Sequence, residues 1–188
     1  MDTIYSNSRY YRDLWIDRGI SPAKLKIFPR GLDTDLFDRR HRDPAFWTGR
    51  GARGKVLLYV GRISKEKDLD MIPDVARMLA DRGLAVTWAF VGDGPYREEL
   101  AGRLPGALFT GVLTGPELGR AYASADLFVF PSTTDTYGNV IVEACAAGLR
   151  VIVSDTGGPK ELVRSGIPGM ICPARSVKAF ADAIQALL

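Results

Sequence analysis

From residue 55 onward the chain alternates short apolar runs with amphipathic stretches. Val56–Val60, Val86–Val91, Ala107–Thr110, Leu127–Phe130, Val151–Val153 and Gly169–Cys172 read as strands. Most are unbroken apolar runs, the pattern of strands covered on both faces of a parallel sheet. Between them the spacing turns helical at Asp68–Arg82, Pro95–Arg103, Pro116–Ser124, Val140–Ala147 and Lys160–Arg164. A last helix, capped by Ser176, runs to the C-terminus. Asp68 or Asp70 reads as the cap of the first of these helices, with Pro73 near its first turn and Gly83 ending it. Strands alternating with helices in this way predict an α/β fold on a doubly wound parallel sheet.

The first part of the chain is less regular. Thr3–Tyr5 reads as a short strand, followed by a helix capped by Asn7 or Ser8 and running to about Asp17, with Gly19 at its end. Leu25–Phe28 reads as a second strand stopped by Pro29, and residues 30–37 as a turn-rich connector. Residues 38–54 are rich in Arg and Gly and hold no sustained period. They read as a linker with one helical turn at Pro44–Trp47.

Composition narrows the function classes only a little. The 188 residues are 46% hydrophobic and 25% charged, which is ordinary for a soluble globular protein. A net charge of +3 is too small to argue for nucleic acid and leaves an anionic small ligand open. Cys145 and Cys172 sit in apolar settings and read as reduced core residues in a reducing, cytoplasmic compartment. His41 is the one histidine and no C-x-x-C occurs, so neither a metal cluster nor a serine triad is expected. No signal peptide and no apolar run near about 18 residues is seen.

The chemistry concentrates in residues 130–154, FPSTTDTYGNVIVEACAAGLRVIVS. Pro131 ends a strand, a polar loop follows, and the helix after Tyr137-Gly138-Asn139 closes at Gly148. In open α/β sheets ligands bind at such a strand's carboxyl end. Free N–H groups at Tyr137, Gly138, Asn139 and Val140, with the helix dipole, favour an anion. Asp135 lies in the loop and Glu143 about one turn into the helix, and ionised carboxylates suit sugar hydroxyls because they only accept. The combination suits a nucleoside-diphosphate sugar. Equally, Asp135 reads as a cap for the helix region and Glu143 as a solvated helix residue.

A second chemical stretch, Gly61-Arg62-Ile63-Ser64-Lys65-Glu66-Lys67, follows the first strand of the regular pattern. Gly61 permits a sharp turn, and Arg62 and Lys67 offer a planar fork and a flexible point charge to one anion. Alternatively the stretch is a solvated charged loop. It is not a Walker A loop, and Gly92-Asp93-Gly94-Pro95 lacks the third glycine of a dinucleotide site.

Taken together these segments resemble the C-terminal domain of the group 1 retaining glycosyltransferases with the two-domain GT-B fold. Residues 25–37, LKIFPRGLDTDLF, resemble that family's interdomain stretch. YVGRISKEK at 59–67, FVGDGP at 90–95 and the block at 130–163 resemble its VGRL-x-x-EK loop, its VGDGP turn and its acidic-x7-Glu signature. The resemblance implies a Rossmann-like nucleotide-sugar-binding domain at 55–188, with residues 1–37 as the tail of an N-terminal domain plus connector. It implies that most of that acceptor domain, and a final helix crossing back to it, lie outside the sequence. The implied activity is metal-independent, retaining transfer from a UDP- or GDP-linked sugar to an acceptor hydroxyl, without cofactor.

Residue by residue, the resemblance implies that Arg62 and Lys67, after Gly61, hold the donor diphosphate and stabilise its leaving charge. Glu143 would bind the ribose, Asp135 the donor sugar, and the main chain at Tyr137–Val140 the diphosphate or sugar. Main-chain atoms near Val112 and Leu113 would lie near the base. The chain departs from the family at Asp135, where Glu is common, and at Asp68, where Gly or Asn is common. The acceptor, a glycan or lipid, would be met by the N-terminal domain, with peripheral contact at the cytoplasmic membrane face. The rival readings are a non-catalytic nucleotide-binding or scaffold domain and another GT-B enzyme, a phosphorylase or epimerase. A phosphorylase would need a Schiff-base lysine, and none is identified.

Overall fold

A computed structural model describes residues 2–28 and 31–188. Pro29 as a strand stop and Arg30 at the head of the connector lie outside the described residues. The main body is a six-stranded parallel sheet of β3 (Lys55–Val60), β4 (Val86–Val91), β5 (Leu108–Gly111), β6 (Leu127–Phe130), β7 (Val151–Ser154) and β8 (Gly169–Cys172). Helices α3 (Ile72–Asp81), α4 (Arg97–Arg103), α5 (Gly115–Ala123), α6 (Asn139–Ala146), α7 (Pro159–Arg164) and α8 (Val177–Leu187) follow the strands in turn. This is the Rossmann-like α/β arrangement that the alternation predicts.

The sheet order is β5-β4-β3-β6-β7-β8. The chain therefore walks outward from β3 to β5, returns to β6 on the other side of β3, and walks outward again. The order reverses between β3 and β6, and the loops leaving their carboxyl ends diverge there to open a crevice. Those loops begin at Gly61 and Pro131, the two stretches singled out above. Leu57, Leu58, Leu127, Phe128 and Val129 are fully buried, which explains why β3 and β6 carry unbroken apolar runs.

The N-terminal segment forms a separate two-stranded parallel sheet, β1 (Ile4–Ser6) against β2 (Leu25–Ile27), with α1 (Arg9–Asp17) between them. It leans on the main body through α1. Ser8 accepts from the Tyr11 N–H, while the Arg9 and Tyr10 N–H groups donate to the Glu161 carboxylate on α7, at 2.9 Å for Arg9. Orphan donors at the start of α1 are thus satisfied by a charge from another element, favourable also toward the helix dipole.

The reading of 38–54 as a linker is corrected by its burial. The segment holds a 3₁₀ turn, Arg39–His41, and a short helix α2 (Ala45–Thr48). Phe46 and Trp47 are 3% and 2% exposed within the main core, and the Trp47 indole N–H donates to the Ala121 carbonyl at 3.0 Å. A segment with two aromatic side chains in the core is packed structure, not a flexible spacer. Asp68 and Asp70 do not cap α3 either: its N-cap is Met71, without a side-chain bond. Among the described residues no helix is long and apolar enough to cross a membrane.

Candidate functional site

The site is built first from the end of β3. Gly61 has φ +147, a conformation open to glycine, and turns the chain out of the sheet. Tyr59, buried near the end of the strand, stacks on Phe130 of β6 and donates its hydroxyl to the Arg62 carbonyl at 2.9 Å. Burial, then the charges of Asp135 and Glu66, push the Tyr59 phenol far above its usual range, so it remains a donor. The FVGDGP turn braces the same loop from behind. Gly61 N–H donates to the Val91 carbonyl, Ile63 N–H to the Asp93 carbonyl, and Tyr96 N–H to the Ile63 carbonyl. A Cβ at Gly92 would collide with the Gly61 carbonyl oxygen, and one at Gly94 with that of Ile63. This turn positions the Arg62 loop without lining the cavity.

The second wall comes from the loop after β6. Asp135 accepts from the Lys67 ammonium at 2.9 Å and from the Ser132 hydroxyl. Lys67 also reaches the Thr134 hydroxyl at 3.4 Å. Gly138, at φ +89, is the N-cap of α6 and supplies no side-chain cap. Asp135 is therefore not a helix cap. Among the described residues the N–H groups of Tyr137 to Val140 meet no acceptor, so the positive end of α6 faces outward unsatisfied. Gly157 and Gly158 brace this loop as Gly92 and Gly94 brace the other. Gly158 N–H donates to the Asp135 carbonyl at 2.9 Å, and a Cβ at Gly158 would run into the Thr136 carbonyl oxygen.

These two loops enclose a cavity of about 350 Å³, lined by Gly61, Arg62, Lys67, Asp135, Tyr137, Gly138, Asn139 and Val140. Tyr59 and Phe130 form its floor, and Asn7 joins from the N-terminal segment, its amide donating to the Thr136 hydroxyl at 3.2 Å. Arg62 is exposed and makes no side-chain hydrogen bond or ion pair among the described residues, while Lys67 is held by Asp135.

Glu143 lies in an adjoining hollow of about 100 Å³, which shares Tyr137 and Asn139 with the larger cavity and is closed by residues 31–33 and Phe37. Its carboxylate accepts from the buried Tyr122 hydroxyl at 2.8 Å. It is a partly buried, oriented acceptor, not a solvated surface charge. Burial raises its pKa above the usual range, and the Tyr122 bond opposes that in part. Tyr122 itself is pushed well above its own range, by burial first and by the Glu143 charge second, and so stays a donor.

Eight of the sequence-predicted positions thus meet in one cavity and Glu143 lies beside it. Val112 and Leu113 line neither space. They follow β5 at the sheet edge, where Val112 is 70% exposed and Leu113 packs on the core. Sequence reasoning passed over Tyr59, Tyr122, Ser132 and Asn7. The two tyrosines had a readable signal, since a phenol in an apolar run must find an acceptor when buried. Ser132 and Asn7 had none, because their partners are distant in sequence or set by loop shape. Among the described residues no group of three or more His, Cys, Asp or Glu side chains is arranged to hold a metal ion.

Comparison with known proteins shows the family and the fold. A family model described as glycosyl transferases group 1 matches residues 54–188. A sulfoquinovosyl transferase of Arabidopsis thaliana is 35% identical over 166 residues, covering 86% of this chain and 32% of its own. A GDP-mannose-dependent alpha-mannosyltransferase of Mycobacterium tuberculosis is 38% identical over 151 residues, covering 80% and 39%. The chain thus spans about a third of the length of these curated relatives. Among solved structures, Anabaena HepE in complex with UDP and glucose superposes with a TM-score of 0.84 at 23% identity, over 98% of this chain and 53% of that one. Sucrose-phosphate synthase of Thermosynechococcus elongatus does so with a TM-score of 0.81 at 23% identity, over 98% and 48%. The fold is that of these two structures, and the chain belongs to the group 1 glycosyl transferases.

Proposed function

We propose that this chain is the donor-binding part of a retaining glycosyltransferase that moves a sugar from a nucleoside-diphosphate sugar to an acceptor hydroxyl. The observation that carries the reading is convergence. Arg62, Lys67 and the unsatisfied start of α6 supply positive charge to one cavity, and Asp135 and Glu143 supply acceptors on either side of it. A diphosphate suits the first group, a sugar hydroxyl Asp135, and ribose hydroxyls Glu143. Lys67 is paired with Asp135 in this structure. A diphosphate entering the cavity would draw the ammonium toward itself, and a sugar hydroxyl would replace it on the carboxylate.

In the proposed reaction the bond between the sugar's anomeric carbon and the diphosphate breaks, and a bond to the acceptor oxygen forms. The acceptor's proton passes to the departing phosphate, since among the described residues the cavity's one carboxylate, Asp135, is paired with Lys67 and no other side chain there is placed as a dedicated base. The protein's part is electrostatic: Arg62, Lys67 and the α6 N–H groups gather where negative charge grows. One such donor is worth about 3 kcal/mol of transition-state stabilisation. The mechanism calls for no metal. UDP and GDP are the expected nucleotides of the donor, supported by relatives that are GDP-mannose-dependent and by a structural neighbour in complex with UDP. A glycan or lipid acceptor, bound outside this chain, completes the reading. A cytoplasmic setting is supported by the two free cysteines.

Amide NMR during titration with UDP, GDP and ADP tests the proposal. The expected result is saturable shifts at residues 61–62 and 137–140 with one of the three. Shifts confined to other surfaces, or none with any of them, would overturn it.

A further inference from the structure

Asp68 follows Lys67 directly and stands where the resembled family commonly has Gly or Asn. Its backbone explains the usual choice. Asp68 has φ 55 and ψ 28, a left-handed conformation that glycine and asparagine adopt most readily and aspartate tolerates. What the aspartate adds is a carboxylate, and that carboxylate is only 5% exposed. One oxygen accepts from both the Thr133 N–H, at 3.0 Å, and the Thr133 hydroxyl, at 2.7 Å. The other accepts from the Arg175 guanidinium at 2.6 Å.

Thr133 lies two residues before Asp135. Asp68 therefore bolts the loop that ends in Lys67 to the loop that carries Asp135, just behind the cavity. Three further contacts join the same loops. Thr134 donates to the Glu66 carbonyl at 3.2 Å, and Lys67 reaches Thr134 and Asp135. The Lys67 links are the ones a diphosphate would disturb. The Asp68 carboxylate is buried, and neither Asp68 nor Thr133 lines the cavity. Arg175, itself left-handed at φ 59, closes the far side of that charge from the β8–α8 connection.

We infer that Asp68 is a positioning residue that holds Lys67 and Asp135 in register while Lys67 shifts from the carboxylate to a bound diphosphate. The inference rests on the donor-site reading above. It assigns to this chain a loop-to-loop clamp that a glycine at position 68 would lack.

The test compares the 188-residue chain with D68G and D68N. Glycine keeps the left-handed backbone and removes the clamp. Asparagine keeps both the backbone and an acceptor for Thr133. T133V, which removes the hydroxyl and leaves the amide, serves as a second probe if D68G does not fold. Two quantities are read: amide hydrogen exchange at residues 132–136, and calorimetric affinity for the nucleoside diphosphate and for its bare nucleoside. D68G should speed exchange at 132–136 and weaken the diphosphate about tenfold, the scale of a lost charged hydrogen bond, with the nucleoside unchanged. D68N should recover most of both, and T133V should show a smaller change in the same direction. Unchanged exchange or unchanged diphosphate affinity in D68G would overturn the inference, as would equal weakening of nucleoside and diphosphate. Faster exchange in D68G beside a parent chain that binds no nucleotide would refute the donor-site reading. It would also reduce Asp68 to a fold contact, overturning its positioning role.

Discussion

Replacing Tyr122 by Phe removes one hydroxyl and tests the electrostatics of Glu143. The ring should stay in place, because it packs edge-on against Phe37 with centroids 5.6 Å apart and lies tilted against Phe128 at 5.7 Å. What is lost is the 2.8 Å bond to the Glu143 carboxylate. Hydrogen bonds to charged groups are worth about 1.5–3 kcal/mol, and partial exposure of the carboxylate reduces this to about 1–2 kcal/mol. For a chain of this size that is a Tm drop of about 3–6 °C at neutral pH.

The pH dependence carries the sharper test. Burial raises the folded-state pKa of Glu143, and the Tyr122 bond lowers it in part. Its contribution to stability is therefore fully present below the unfolded value and is lost as pH rises through the folded one. Without the hydroxyl the folded value rises further, so the stability gap between parent and variant is largest at neutral pH and shrinks in acid. Nucleoside binding should follow the ionised form and weaken as pH falls. Its midpoint should lie above the ordinary carboxylate value of about 4.3, and higher still in the variant. The assay is calorimetric titration of the bare nucleoside from about pH 8 to about pH 4, a range that crosses the glutamate value. A bare nucleoside leaves no phosphate to titrate. Identical midpoints in parent and variant, or a midpoint in both at the ordinary value, would refute the reasoning.

Other expectations follow from packing. Gly158→Ala places a methyl against the Thr136 carbonyl and should cost about 1–3 kcal/mol and loosen the Asp135 loop, seen as a lower urea midpoint and faster exchange at 132–138. Trp47→Ala should cost about 3–5 kcal/mol in the same melt, because the indole is in the core and bonds Ala121; a loss under about 1 kcal/mol would restore the linker reading of 38–54. Glu161→Ala leaves the first N–H groups of α1 without their acceptor. It should raise amide exchange at residues 9–12 and leave that of β3 and β6 unchanged.

The parallel sheet was legible because strands buried on both faces leave unbroken apolar runs, as in Leu127–Phe130. The site loops were legible because glycine, proline and charge cluster where those strands end. Residues 38–54 were misread because Phe46 and Trp47 sit in a helix too short to show a period, so their burial left no pattern. Asp68 looked like a helix cap because an aspartate before an apolar helix usually is one, and its left-handed backbone and its partner at Thr133 are tertiary facts. The bracing of Gly61 by Gly92, and of Thr136 by Gly158, was hidden for the same reason. A glycine in a sequence announces freedom, and only the packed neighbour shows that the freedom is used for close approach. Val112 and Leu113 came from the resemblance alone, and no local chemistry supported them.

The most direct test of the central claim is calorimetric titration of the chain with UDP, GDP and ADP, repeated with Arg62→Ala and Glu143→Ala. One nucleotide should bind, and both substitutions should weaken it. Arg62→Ala should leave the bare nucleoside untouched, whereas Glu143→Ala should weaken nucleoside and nucleotide alike. Binding that neither substitution alters, or no binding of any nucleotide, would contradict a donor site at the β3–β6 crevice.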